Sequence, residues 1–215
     1  MQELQEAWIA FKFGGVIMIP LSLMGVIALA IMLEKAFLYK RFACLSYGLS
    51  SLIETYGFPW EELEKQLSRL NDHHYYKRFF WVILANRNRP AWWTESRAAD
   101  EAQVIETSLA SRLWVLETIV TAAPLLGLMG TIIGMMHAFQ IIGSNGIVNP
   151  AGVTGGVAQA LIATAVGLLV ALIALFGFNY FSRLQSQTMD EMERLGTRLI
   201  DHIRLDQRGN THETS

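Results

Sequence analysis

Between Glu117 and Arg183 the chain carries no Asp, Glu, Lys or Arg. A run this long without charge is two membrane crossings, since about 20 apolar residues as a helix span a ~30 Å hydrocarbon core. Its first half is Ala122-Ala123-Pro124-Leu125-Leu126-Gly127-Leu128-Met129-Gly130-Thr131-Ile132-Ile133-Gly134-Met135. Gly and Pro are tolerated there because neighbouring helices satisfy freed backbone groups. Gly127, Thr131, Gly134 and Ala138 recur at helical spacing and share one face. Thr131 is the only hydroxyl on that face, and Gly130 with Gly134 forms a GxxxG pair. The second half repeats the device: Gly156, Ala160, Ala163, Gly167, Ala171 and Ala174 form another small stripe built for close helix packing.

A third crossing precedes these two, at residues 14–33, with Pro20 as a possible kink and Glu34 and Lys35 at its end. The charged fraction of 17% is below the ~25% of soluble domains. With a net charge of −2, nothing in the balance suggests a nucleic-acid partner. The run His73–Trp81, which mixes basic and aromatic residues, reads as helix packing rather than RNA binding. Cys44 stands alone and reads as a small apolar residue. No nucleophile–base constellation and no metal-ligand spacing appears, so neither an enzyme, a cofactor nor a metal site is expected.

The expected fold is all-α: a polytopic membrane protein with three crossings, two of them extended into a cytoplasmic helical domain. Residues 1–13 form an amphipathic periplasmic helix bearing Leu4, Trp8 and Phe11. Residues 34–112 are the cytoplasmic domain, with helices near 42–56 and 60–89. A helix capped by Thr94 runs unbroken into the second crossing, 113–142. Residues 143–156 are a Gly-rich loop, 157–182 the third crossing, and 183–215 an amphipathic helix with a polar, disordered tail after Asp206. Eleven Lys and Arg lie between the first two crossings, none between the second and third, and five after it. The positive-inside rule then places the N-terminus outside and the C-terminus inside.

Leu116, Ile119, Pro124, Leu125, Leu126, Gly127, Leu128, Gly130, Thr131, Gly134, Met135 and Phe139 make one motif. Gly156, Val157, Ala160, Leu161, Thr164, Ala165, Gly167, Leu168, Ala171, Ala174, Asn179 and Phe181 make a second. Together they resemble the MotA/TolQ/ExbB proton-channel family, most like its ExbB branch. The resemblance implies a homopentameric ring in a bacterial inner membrane, surrounding single-span partners of the ExbD/TolR type. A carboxylate on the partner takes up and releases protons, and the flow drives a TonB-like effector that energises outer-membrane transport. A TolQ-like envelope role and a non-conducting scaffold ring are the alternatives. Besides these proteins, only membrane lipid is implied as a partner.

The resemblance makes Thr131 and Thr164 pore-lining. Gln159 stands where the family commonly has a Glu, and the family's Ala-Ile-Pro-Ala is Ala171-Leu172-Ile173-Ala174 here. Gln hydrogen-bonds but does not titrate, so the titrating acid has to come from the partner, and sodium stays open beside proton. His137, the only histidine in the crossings, is an ionisable group at membrane depth; matching Thr131 to the level of Thr164 places it near Gln159, as a partial stand-in for the Glu. Pro124, Gly127, Gly130, Gly134, Gly156, Ala160 and Gly167 are assigned to helix packing and pore shape.

Overall fold

The computed structural model describes residues 15–43, 52–53, 58–143 and 150–212. All regular structure among the described residues is helical: α1 (Met18–Phe42), α2 (Trp60–Ser68), α3 (Tyr75–Ala85), α4 (Ala91–Ala110), α5 (Leu113–Gly143) and α6 (Pro150–His212). Three helical stretches are long and apolar enough to cross a membrane. The expected all-α, three-crossing class is therefore observed. Leu4, Trp8, Phe11, Cys44 and most of the expected 42–56 helix lie outside the described residues.

The element boundaries correct several expectations. The first crossing begins at Met18 rather than at 14 and runs on to Phe42. Pro20 sits in its first turn, where its missing N–H removes no intrahelical bond, so it is not an internal kink. The 60–89 segment is two helices. Between them the Asn71 side chain accepts from the His73 N–H at 3.0 Å, closing a local turn.

The helix expected from Thr94 to 142 is also two. It breaks at Ser111 (ψ 135°) and Arg112, whose φ of 64° is left-handed. Thr94 does not cap it: α4 starts at Ala91 behind Pro90, and the Thr94 hydroxyl donates to the Asn86 carbonyl at 2.9 Å. The loop expected to last until 156 ends at Pro150, a residue suited to a first helical turn. The tail expected to be disordered after Asp206 stays helical to His212.

The chain divides into two compact units. One holds residues up to Leu33 together with Arg112–Tyr180; the other holds Glu34–Ser111 and the residues from Phe181 on. In the first unit, a methyl added at Gly25 would meet Val170 Cγ2 at 3.5 Å, and one at Gly177 would meet Met32 Sδ at 2.7 Å. The two pairs have the same sequence offset, so α1 runs parallel to this part of α6. Contacts between α5 and α6 pair rising with falling numbers, so those helices are antiparallel: Gly127 meets Thr164, Gly134 meets Ala160, and Ala138 meets Gly156. Lipid tails are as apolar as leucine, so such close backbone packing, not hydrophobic burial, holds helices together there.

The second unit has a conventional apolar core. Met192, Leu195, Leu199 and Ile203 of α6 are buried with Leu63, Leu67, Phe80, Ile83, Ile105 and Leu109. Each such side chain stabilises the fold by roughly 1.5–3 kcal/mol through burial. Gly196 lets the Phe79 ring approach α6: a methyl there would lie 2.7 Å from its Cζ. Polar ties frame the core. Tyr76 donates to Glu191 at 2.7 Å, and Arg78 pairs with Glu101 at 2.6 Å. Lys35 is buried, with 1% of its surface exposed, and its ammonium donates to the Leu109 carbonyl at 2.7 Å and the Ser111 hydroxyl at 3.2 Å. It thereby caps the carbonyl end of α4, where a cation is favoured.

Candidate ion-pathway helices

The two small stripes interlock along α5 and α6. A methyl on Gly134 would lie 2.9 Å from Ala160 Cβ and 2.9 Å from the Gly156 carbonyl oxygen. One on Gly156 would lie 2.8 Å from Ala138 Cβ, and one on Gly167 would lie 2.6 Å from the Ala123 carbonyl oxygen. Gly130 packs on Ala163. All of Gly127, Gly130, Gly134, Gly156, Ala160 and Gly167 are buried at this seam. Pro124 is half-buried next to Ala123, inside an α5 that continues past it.

The two threonines play different parts. Thr164 donates its hydroxyl hydrogen across the seam to the Gly127 carbonyl at 3.0 Å. Thr131 donates within its own helix, to the Leu128 carbonyl at 2.7 Å. Both are half-exposed on the isolated chain. With its one hydrogen committed, each hydroxyl oxygen keeps acceptor lone pairs only. The pair can accept a hydrogen bond from water or from a protonated carboxyl, and can coordinate a cation. Either hydroxyl can offer a hydrogen to a carboxylate only by giving up its bond to the helix carbonyl.

The levels along the helices differ from the expected ones. Thr164 lies level with Gly127, so Thr131 sits four residues on, about 6 Å further along α5. Gly134 meets both Gly156 and Ala160, which places Gln159 near Gly134, and His137 about a turn beyond, at the level of Gly156. His137 and Gln159 are therefore not level. His137 is exposed. The half-exposed Gln159 packs its amide against the backbone of Gly15, whose φ of +70° a side chain would strain.

Sequence reasoning missed Gly15 as the seat of Gln159 and Lys35 as the cap of α4. The second left a signal: Ala28, Ile31 and Lys35 continue one buried helical stripe, so a lysine falls where an apolar residue belongs. Among the described residues no cluster of His, Cys, Asp and Glu could hold a metal ion.

A family model described as the MotA/TolQ/ExbB proton channel family matches residues 65–194. A putative biopolymer transport protein, ExbB-like 3, from Synechocystis is 32% identical over 176 residues, covering 80% of this chain and 82% of that protein. ExbB-like 1 from the same organism is 33% identical over 196 residues, covering 88% and 76%. The biopolymer transport protein ExbB of Aquifex aeolicus is 37% identical over 91 residues, covering 42% and 62%.

Proposed function

This chain belongs to the MotA/TolQ/ExbB proton channel family, on its ExbB branch, and from that premise we propose that it is the ring-forming subunit of an ion-driven motor in a bacterial inner membrane. Five copies enclose a single-span partner of the ExbD type, with the N-terminus periplasmic and the C-terminus cytoplasmic. A carboxyl on the partner carries the ion, and its movement works a TonB-like effector that energises outer-membrane transport. A proton crossing ~200 mV releases roughly 4.6 kcal/mol, at ~2.3 kcal/mol per 100 mV. The protein is not an enzyme in this reading, and it needs no cofactor.

One observation carries the proposal: the stretch of α5 and α6 between Glu117 and Arg183, free of Asp, Glu, Lys and Arg, whose threonine hydroxyls are left as hydrogen-bond acceptors. When the partner's carboxyl is protonated, its O–H finds an acceptor there. Once ionised, it meets no uncommitted donor in these hydroxyls and moves on toward water. The wall thus distinguishes the two protonation states without titrating itself. Gln159 in place of the family Glu fits that division of labour. His137, exposed on α5, is assigned the outer mouth.

The test is proton flux in liposomes. Rings of this chain alone should be silent, and rings with the partner should conduct. Flux from the lone rings would overturn the reading. A non-conducting scaffold ring is the second reading, favoured by Gln159; silence of the complete complex, with normal assembly, would establish it.

A further inference from the structure

The second unit ends in a patch that ion conduction does not use. The chain enters and leaves this unit at residues 34, 111 and 181. Lys35 meets Leu109 and Ser111, and Tyr39 stacks on Phe181, so these crossings gather at one end. The other end is tied by Trp60 to Asp206, Arg204 to Glu95 and Gln207 to the Arg89 carbonyl. Residues 204–207 stand about 35 Å along α6 from residue 181. At this remote end Trp92 is 67% exposed and Trp93 42%. With Asn86, Arg89 and Pro90 they line a groove of about 490 Å³.

Arg89 makes the groove cationic as well as aromatic, and Arg87 and Arg97 lie on aromatic rings beside it. Arg97 lies over the Trp93 ring at 5.3 Å and Arg87 over the Trp60 ring at 6.0 Å. Arg87 and Arg89 are exposed and form no ion pair with any described residue. Exposed tryptophan beside arginines without an ion pair among the described residues is the composition of a binding surface, not of a solvated face. Guanidinium forks match carboxylates, and indole rings take an apolar side chain between them.

We propose that this groove binds an acidic, aromatic-containing segment of a separate water-soluble protein. Charge decides the occupant. Glu95, Asp100, Asp201 and Asp206 are exposed around the same end. A nucleic acid, with unbroken charge along its backbone, would run against them. A peptide that sets one or two carboxylates on Arg87 and Arg89 would not. An anionic lipid surface would run against the same carboxylates. A second copy docking by the same patch would set arginine against arginine.

The full chain in nanodiscs should bind a fluorescein-labelled decapeptide carrying two Glu and two Phe among Ser and Gly, read by anisotropy. Its Gln-for-Glu analogue should bind at least about tenfold more weakly, since a charged hydrogen bond is the larger contribution. Arg87→Ala with Arg89→Ala, and separately Trp92→Ala, should weaken the acidic peptide by a similar factor. Trp92 is mostly exposed, so the variant should keep the parent circular dichroism. The proposal is overturned by equal binding of the Gln analogue, or by tighter binding of a ten-nucleotide RNA. It is also overturned by pull-down of anionic vesicles with the peptide ineffective, or by unchanged peptide binding in variants whose assembled mass has changed. Proton flux should be unaffected by all three substitutions, which keeps this test separate from that of the motor.

Discussion

The Thr164 hydroxyl reaches across the seam to the Gly127 carbonyl at 3.0 Å, whereas Thr131, one turn further along α5, bonds only to its own helix. Two residues that look equivalent in the motifs thus hold different positions. Thr164 joins two helices, and Thr131 decorates one.

Thr164→Val should therefore lower both assembly stability and flux, and Thr131→Val only flux. The lost inter-helix bond is worth about 1 kcal/mol. Denaturant titration in detergent micelles should resolve that loss for Thr164→Val and give a change under ~0.5 kcal/mol for Thr131→Val. Thr164→Ser should restore the bond and at least half the parent flux in liposomes with the partner.

The seam glycines should be intolerant of a methyl. Gly134→Ala would press on a backbone carbonyl and Ala160 from 2.9 Å, neither of which is a flexible side-chain end. A loss of about 1–3 kcal/mol is expected from overpacking. Gly155→Ala, on α6, meets nothing within 4 Å and should be neutral or stabilising by up to ~1 kcal/mol, through helix propensity. Paired thermal melts of the two variants check both signs.

Lys35→Met should destabilise the second unit although it replaces a charge by an apolar chain of like length. It removes the donor to Leu109 and Ser111, and leaves the carbonyl end of α4 with one fewer partner. The expected loss is about 1–3 kcal/mol, read as faster hydrogen exchange at residues 109–112. Lys35→Arg should fail to rescue, because at 1% exposure there is no room for the larger fork.

Gly196→Ala should force the Phe79 ring aside, at a loss of about 1–2 kcal/mol by overpacking. Combined with Phe79→Leu it should cost less than the sum of the two changes. A double-mutant cycle by chemical denaturation measures that coupling.

The crossings and their small stripes were legible because helix periodicity and the spacing of Gly and Ala are local properties. The register between α5 and α6 was not, since which residues of two stripes meet is decided by packing. That is why the levels of Thr131, Thr164, His137 and Gln159 came out a turn apart. Ser111-Arg112 carries no Gly or Pro to announce a break; its visible anchor is Lys35, 74 residues away from Leu109. Asn71 hides a turn in an otherwise helical pattern by a side-chain bond to His73. At the far end, Gln207 donates to the Arg89 carbonyl, one tie on a segment whose polarity alone suggested disorder.

The bare wall of α5 and α6 bears on how a cell can manufacture such a machine. Moving a lone ion past surfaces without countercharge is prohibitive in a low-dielectric medium. On the proposed reading, subunits inserted ahead of their companions would leave the bilayer electrically tight. Synthesis would then need no strict stoichiometric control, and a surplus of this polypeptide would dissipate nothing.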